Sequence, residues 1–553
     1  MRVTAESKQY DYVIVGAGSA GSVIAHRLTE DPNVSVLLLE AGGEDNQFFY
    51  RMALGFHSWR YPDTSWSYET EPEPHLNDRR IPLPRGKVLG GSSTINAMLY
   101  SRGHPEDYNL WRQMGCSGWG FEDVLPYFKR SETNWRGEGT YHGGSGPLQV
   151  SRVQKERFLG EPVIEAARNA GYPITDDHHG SMPEGFGGGD VTVDSRGRRS
   201  SAARAYLHPI RNRPNLHIET KAYATRILMD GKKATGIVYQ QNDEEKRALA
   251  GREVILAGGV YNSPQLLMLS GIGPAHHLKD MGIDPIVDLP GVGRNLSEHA
   301  GFWTEHAARE PVTLIKDLRA DKVALSFAQW LLLGKGLMTT QCNSCHAEIK
   351  SRPELAHPDL QIYFNPIAAD AKPWVPLISK KQQHRMTSVV CLLQPKSRGW
   401  MELRSADPAD KPRITLNLMS DRSDVETLIN SVEMVRELYK TEPLASIVAQ
   451  ENLPGADVQS RDEIEAWLRS VLITTHHSVG TCAMGIDEEA VVDPQLRVRG
   501  VENLRVCDAS IMPTVPGGNT NAPSIMVGEK AADLIRGTSL APAELPRQDT
   551  LAA

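Results

Sequence analysis

Tyr12-Val13-Ile14-Val15-Gly16-Ala17-Gly18-Ser19-Ala20-Gly21-Ser22-Val23-Ile24-Ala25-His26-Arg27-Leu28 is the stretch that decides the fold. Four β-favouring apolar residues end at a glycine, and Ala20, Val23, Ile24 and Leu28 then recur at helical spacing. A second apolar run, residues 34–39, stops at Glu40. Strand, glycine turn, helix and strand make a βαβ unit, which predicts a parallel sheet covered by helices. Within it, Gly16-x-Gly18-x-x-Gly21 joins strand to helix, and Glu40 lies 19 residues beyond Gly21. Such glycines let backbone N–H groups and the positive helix end approach a pyrophosphate, and an acid at Glu40 can accept hydrogen bonds from a ribose. The pattern is that of a dinucleotide site. It disfavours a 2′-phosphorylated ribose and does not separate FAD from NAD.

Working outward, residues 253–257 form another buried strand followed by Gly258 and Gly259, and residues 504–508 form a third. Residues 310–475 differ in texture. Proline-broken runs such as 358–366 and alternating stretches at 386–394 and 399–404 predict antiparallel strands with one covered face, and helical patterns follow at 423–439 and 461–472. The apolar run 323–333 carries Ser326 and Gln329 and falls short of the ~20 residues that span a bilayer. It reads as a core helix, with a membrane-surface contact as the alternative. Residues 538–553 hold Pro542, Pro546 and few large apolar groups, and are expected to form a mobile tail.

The chain has 553 residues, enough at ~150 per domain for two or three folding units. Hydrophobic residues at 40% and charged residues at 23% are ordinary globular values, so neither disorder nor a fibrous repeat is indicated. A net charge of −8 supplies no basic field for phosphate backbones, so nucleic acid is not an expected partner. Six scattered cysteines predict a reducing compartment without structural disulfides. The polar residues 1–10 run straight into a strand without an apolar signal segment, which predicts a cytoplasmic protein with no integral membrane segment.

A second glycine-rich stretch, Arg85-Gly86-Lys87-Val88-Leu89-Gly90-Gly91-Ser92-Ser93-Thr94-Ile95-Asn96-Ala97-Met98, presents backbone N–H groups to anything lying against it. Together with Gly258-Gly259-Val260-Tyr261-Asn262-Ser263-Pro264-Gln265, with Gly291-Val292-Gly293-Arg294-Asn295-Leu296 and with His477-Ser478-Val479-Gly480-Thr481, it resembles the signatures of the glucose-methanol-choline (GMC) oxidoreductases, which are FAD enzymes. The resemblance spans residues 10–537.

It implies an α/β architecture in which a Rossmann-like FAD-binding domain is assembled from residues 1–160, 215–309 and 476–537. A substrate domain with a mixed or antiparallel sheet and helices is then built from residues 161–214 and 310–475. It also implies that Gly16, Gly18, Ser19, Ala20, Gly21, Glu40 and Ala41 hold the ADP half of FAD. Leu89, Gly91, Ser92, Asn96, Ala97 and Met98 would line the flavin, Ala224 would meet the adenine, and Asp508, Ala509 and Thr520 would close over the flavin. His477 matches the family's catalytic histidine and Asn519 its second active-site position, His or Asn across the family. A neutral imidazole is also the side chain best suited to take a hydroxyl proton near neutral pH, and an amide can donate to the resulting alkoxide. The neighbouring His476 competes by adjacency; the spacing His-x-x-Gly-Thr favours His477.

The expected reaction is oxidation of a small primary alcohol to the aldehyde, with electrons passing to dioxygen or another acceptor. The family's lyases and photochemical decarboxylases define the alternative. The FAD should be non-covalent, because residues 85–103 contain neither His nor Cys for a tether. Trp59, Trp66, Phe364 and Trp374 suggest an apolar or aromatic alcohol, and are equally explained as core. Cys342-Asn343-Ser344-Cys345-His346 matches the haem-attachment pattern C-x-x-C-H, but the expected compartment argues against haem. A zinc site there would need a fourth ligand that the sequence does not assign, so no metal is expected.

Overall fold

The computed structural model describes residues 8–54, 62–376, 378–379 and 382–546. The opening βαβ unit forms as the pattern predicts: β1 (Lys8–Val15), α1 (Ser19–Leu28) and β2 (Val36–Leu39). All four residues of β2 are buried, as expected of a parallel strand covered on both faces. β2 and β1 lie side by side in a seven-stranded sheet, flanked by Leu216–Glu219 on one edge and by Glu244–Leu256 on the other.

The strand read from residues 253–257 is the end of a much longer one. Glu244–Leu256 first pairs antiparallel with Lys233–Gln241, which pairs in turn with Tyr223–Asp230. Its last residues then pair parallel with Leu504–Val506, so the C-terminal segment enters the sheet beside it.

A second seven-stranded sheet runs in the order Val448–Leu453, Ala300–Ala308, Arg385–Leu392, Leu360–Asn365, Cys345–Ile349, Gly185–Gly187, with Ile473–Thr474 also on Ala300–Ala308. Every pairing in it is antiparallel, in line with the alternating texture of the sequence. Helices Arg422–Lys440 and Arg461–Val471 match the two periodic stretches.

Four expectations need correction. Ala300–Ala308, drawn within the cofactor-binding unit that ended at 309, belongs to the antiparallel sheet through its ladder with Arg385–Leu392. Residues 203–207, drawn within the substrate unit, pack on α1 instead. The His26 ring nitrogen bonds the Tyr206 carbonyl at 2.8 Å, and the Tyr206 hydroxyl donates to Glu529 at 3.0 Å. Residues 538–546 are laid against helix Phe121–Ser131, where Leu540 N–H donates to the Tyr127 hydroxyl and Ala543 N–H to the Glu122 carbonyl. Residues 547–553 of that tail lie outside the described residues.

The fourth correction concerns the apolar run 323–333. Helix Ala320–Leu333 sits on the surface, with only Ser326 and Trp330 buried, while Leu325, Leu331, Leu332 and Leu333 face outward, Leu332 at 78% exposure. A helix apolar on nearly every side has no periodic stripe to say which face turns inward. Trp330 decides it here, its indole N–H donating to the Gly197 carbonyl at 2.8 Å. Among the described residues no helix is long and apolar enough to cross a membrane.

The glycine turn is held by close packing. A Cβ on Gly21 would stand 1.9 Å from the Gly16 carbonyl oxygen, and one on Gly16 would stand 2.4 Å from that of Ala257, at a φ of +101°. By contrast, a Cβ on Gly43 would meet nothing within 4 Å. Gly21→Ala should therefore lower the thermal unfolding midpoint by several degrees, an overpacking cost of about 1–3 kcal/mol, while Gly43→Ala stays within about 0.5 kcal/mol of the parent. Equal midpoints for the two variants would contradict this packing.

Candidate active site

The C-terminal ends of β1, Glu244–Leu256 and Leu504–Val506 open on one long cavity. At one end, Glu40 is almost fully buried and accepts the N–H groups of Ala17 at 3.0 Å and Gly42 at 2.8 Å. Burial pushes its carboxyl up to about 7, against the lowering effect of those two N–H groups. Gly18 caps α1 without a side-chain hydrogen bond, and its Cβ position is open space. The helix thus presents free N–H groups and a positive end to the cavity.

Loop 90–98 lies directly over this turn: Gly90 N–H donates to the Ala17 carbonyl at 2.8 Å, and a Cβ on Gly91 would stand 2.8 Å from Gly18 Cα. On the other side Asp508 accepts Gly259 N–H at 2.9 Å and the Ser263 hydroxyl at 2.5 Å, pinning the second glycine turn.

Gly16, Gly18, Ser19, Ala20, Glu40 and Ala41 all border the cavity, as do Gly91, Ser92, Asn96, Ala97 and Met98. So do Ala224, Asp508, Ala509, Thr520, His477 and Asn519. Gly21 and Leu89 do not. Gly21 supports the turn from behind, and Leu89 is buried in the core, its N–H on the Gly43 carbonyl and its own carbonyl accepting from Thr94. Of the aromatic residues expected near substrate, Trp66 borders the cavity and Phe364 is core. Trp374 donates its indole N–H to the Ile315 carbonyl at 3.1 Å, away from the cavity, and Trp59 lies outside the described residues.

At the far end His477 Nε2 lies 3.0 Å from Asn519 Nδ2. His477 Nδ1 lies 3.0 Å from His299 Nδ1 and from the Thr475 hydroxyl. His299 Nε2 is 3.1 Å from the Leu393 carbonyl, which can only accept, so the His299 proton sits on Nε2 and its Nδ1 carries a lone pair. Burial holds His299 down to about 3, so the ring is neutral. His477 must then donate from Nδ1, which leaves its Nε2 lone pair facing Asn519 and the cavity. Burial, then the neighbouring His299, keeps His477 well below the ordinary histidine range. The site therefore holds a neutral imidazole with one fixed tautomer.

The backbone carrying that imidazole is anchored by Glu298, a fully buried acid that accepts His477 N–H at 2.6 Å and the Ser478 hydroxyl. Arg85 lies 3.6 Å from Glu298 and donates to Ser478 Oγ and to the His476 carbonyl, each at 2.8 Å. His476, also at the cavity, has a left-handed φ of +67°, and Met98 opposite has +62°. Backbone held in that region by a non-glycine residue is strained, and both residues border the cavity.

Glu298, His299, Thr475 and Tyr363 were not singled out from the sequence. His299 stands 178 positions before His477, and no spacing rule links them. The only local hint was its nearness to the run 291–296. All six cysteines are free and buried. Cys342 packs in an apolar cluster with Leu314, Leu318 and Leu337, whereas Cys345 belongs to the main core, so C-x-x-C-H presents no exposed thiol pair.

A family model described as GMC oxidoreductase matches residues 10–301, and a second, for the C-terminal part of the same family, matches residues 395–528. The chain is 44% identical over 542 residues to a mitochondrial choline dehydrogenase of Mus musculus, covering 96% of this chain and 90% of that protein. It is 45% identical to an oxygen-dependent choline dehydrogenase of Sinorhizobium fredii, covering 96% of each. Among solved structures, a point variant of Aspergillus oryzae formate oxidase superposes with a TM-score of 0.89 at 27% identity, covering 97% of this chain and 99% of that one. Pyridoxine 4-oxidase of Mesorbium loti gives 0.86 at 30% identity, covering 96% and 100%.

Removing the Glu298 side chain leaves two buried donors and Arg85 without their acceptor. Glu298→Ala should cost about 3–5 kcal/mol in denaturant unfolding, against about 1 kcal/mol for Ser478→Ala. A Glu298→Ala protein as stable as Ser478→Ala would show that the acid does not anchor the loop.

Proposed function

The chain belongs to the GMC oxidoreductase family and is an alcohol oxidoreductase acting on CH–OH groups, and from that premise we propose that it oxidises a primary alcohol to the aldehyde with a non-covalently held FAD. The observation that carries this reading is the unshared pair on His477 Nε2, fixed in place by His299 and facing Asn519 at the end of the cavity.

The residues present suit FAD. The uncapped start of α1 and the open face of Gly18 fit a pyrophosphate, and buried Glu40 fits a ribose. Loop 90–98 and residues 508–509 and 520 border the remainder. Helix Asn521–Arg536 begins beside them with no acid in its first turn, so its positive end favours negative charge there. When bound, FAD supplies the two-electron acceptor for the hydride leaving the carbinol carbon.

The chain's own groups do the rest. His477 Nε2 takes the hydroxyl proton, and the Asn519 amide holds the oxygen as negative charge builds on it. The buried His299 keeps the base in the required tautomer. Electrons leave to dioxygen or to another acceptor. The names of the relatives put choline in the panel of alcohols to be tried.

Acid precipitation should release yellow FAD into the supernatant, because loop 85–103 offers no His or Cys for a covalent link; colour in the pellet would refute it. Anaerobic flavin reduction should slow by about 10²–10⁴-fold in His477→Ala with FAD still bound, the usual worth of a general base. Asn519→Ala should lose less, about 10- to 10³-fold. His476→Ala is the control, and reduction abolished there but normal in His477→Ala would reassign the base.

A further inference from the structure

Asn519 is the end of a line of buried side chains that crosses two strands of the antiparallel sheet. Glu348 and His346 on Cys345–Ile349 stand opposite Gln361 and Tyr363 on Leu360–Asn365, so all four project from one face. Gln361 Nε2 lies 3.1 Å from Glu348 Oε1, and Gln361 Oε1 is bonded to the Tyr363 hydroxyl. That hydroxyl lies 2.8 Å from Asn519 Oδ1, and Asn519 Nδ2 lies 3.0 Å from His477 Nε2. The line is therefore Glu348, Gln361, Tyr363, Asn519, His477.

Counting protons gives it a direction. A hydroxyl carries one hydrogen, yet two amide oxygens, from Gln361 and Asn519, face Tyr363. Both cannot be served. The two ends of an amide have the same shape, so turning Gln361 over changes no positions. With the Gln361 amino group toward Tyr363, the phenol is free to donate to Asn519 Oδ1, and the Asn519 amino group points at His477. Gln361 Oε1 then faces Glu348, which must supply a hydrogen. With Glu348 ionised, every bond reverses. Gln361 donates to the carboxylate, Tyr363 to Gln361 and Asn519 to Tyr363, and the Asn519 oxygen meets the His477 lone pair that His299 has fixed.

We propose that Glu348, Gln361 and Tyr363 are positioning residues for the reaction, and that Glu348, by donating a hydrogen bond to Gln361, turns the Asn519 amino group toward His477 and the substrate oxygen. The inference rests on the reading of His477 as base and Asn519 as oxygen-binding group. The surroundings of Glu348 suit a neutral acid. It is 2% exposed, and burial pushes it up to about 7. The titratable groups facing it are His346, with Nε2 at 3.7 Å on its own strand, and His178, whose ring stacks on His346 at 3.8 Å. Burial holds these two down to about 4 and about 3, and for Glu348 the upward push of burial outweighs the opposing pull of His178. Ser101 and Gln361 are its remaining polar neighbours.

The test is the pH profile of anaerobic flavin reduction in the holoenzyme, at saturating alcohol, from about pH 5.5 to 9. Because the productive direction needs the proton on Glu348, the parent rate should fall about tenfold or more as pH rises through about 7. Glu348→Gln can donate at any pH, so it should stay within about threefold of the parent's acid-side rate and lose the alkaline fall. Tyr363→Phe cuts the line, and should be slowed about 10- to 10²-fold with the alkaline fall also gone. Independently of turnover, infrared spectra at about pH 6 should show a protonated carboxyl band that Glu348→Gln removes. An alkaline fall unchanged in Glu348→Gln, or no such band in the parent, would overturn the proposal. His477→Ala separates the two ideas. If it reduces flavin normally, the reading of the base fails; if it is slow while Glu348→Gln and Tyr363→Phe match the parent, only the positioning line fails.

Discussion

Three strand ends in register are the constraint on which this molecule is built. Val15 pairs with Leu256 and Leu256 with Val506, so the chain leaves the same edge of one sheet at positions 16, 257 and 507. Backbones that emerge side by side must turn without side chains in the way, and Gly16, set against the Ala257 carbonyl, meets that demand. Asp508 then ties the third exit to the second through Gly259 and Ser263. Ligand sites in parallel sheets form at the carboxyl ends of the strands. Here the rule follows from the crowding of three exits at one edge.

The antiparallel sheet completes the site by supplying what the parallel sheet lacks, namely buried polar partners with fixed direction. His299 immediately precedes Ala300–Ala308, its acceptor Leu393 follows Arg385–Leu392, and Tyr363 lies within Leu360–Asn365. Two neighbouring strands thus set the tautomer of a histidine carried on a loop from elsewhere, and a third supplies the hydroxyl on Asn519. The low dielectric that makes an unmatched donor costly also makes a matched line specific. Buried Glu298, bridging 180 positions to Ser478, adds the anchor that keeps the loop at the mouth of this sheet.

Much of the parallel half was legible because its signals are local. The glycine turn, the acid at Glu40 and the run 85–98 each fall within a few tens of residues, and backbone geometry dictates their residue types. The motif around His477 was legible for the same reason, since Gly480 and Thr481 follow at once. Legibility failed where one pattern serves two environments. Residues 323–333 read as core and stand on the surface, because an all-round apolar helix carries no facing information. Ala300–Ala308 was drawn within the cofactor-binding unit, although it pairs with Arg385–Leu392, because strand pattern does not name a partner.

The sequence alone determined the glycine turn after β1 and the α/β class, and it singled out His477 through its motif, since contiguous residues encode all three. Only the tertiary structure decided which nitrogen of His477 carries the proton, which acid anchors its loop and which side chains reach Asn519. Those are hydrogen-bond directions between groups 178, 179 and 156 positions apart. A hydrogen bond's direction depends on every donor and acceptor within reach, and reach is set by the packing of the two sheets rather than by order along the chain.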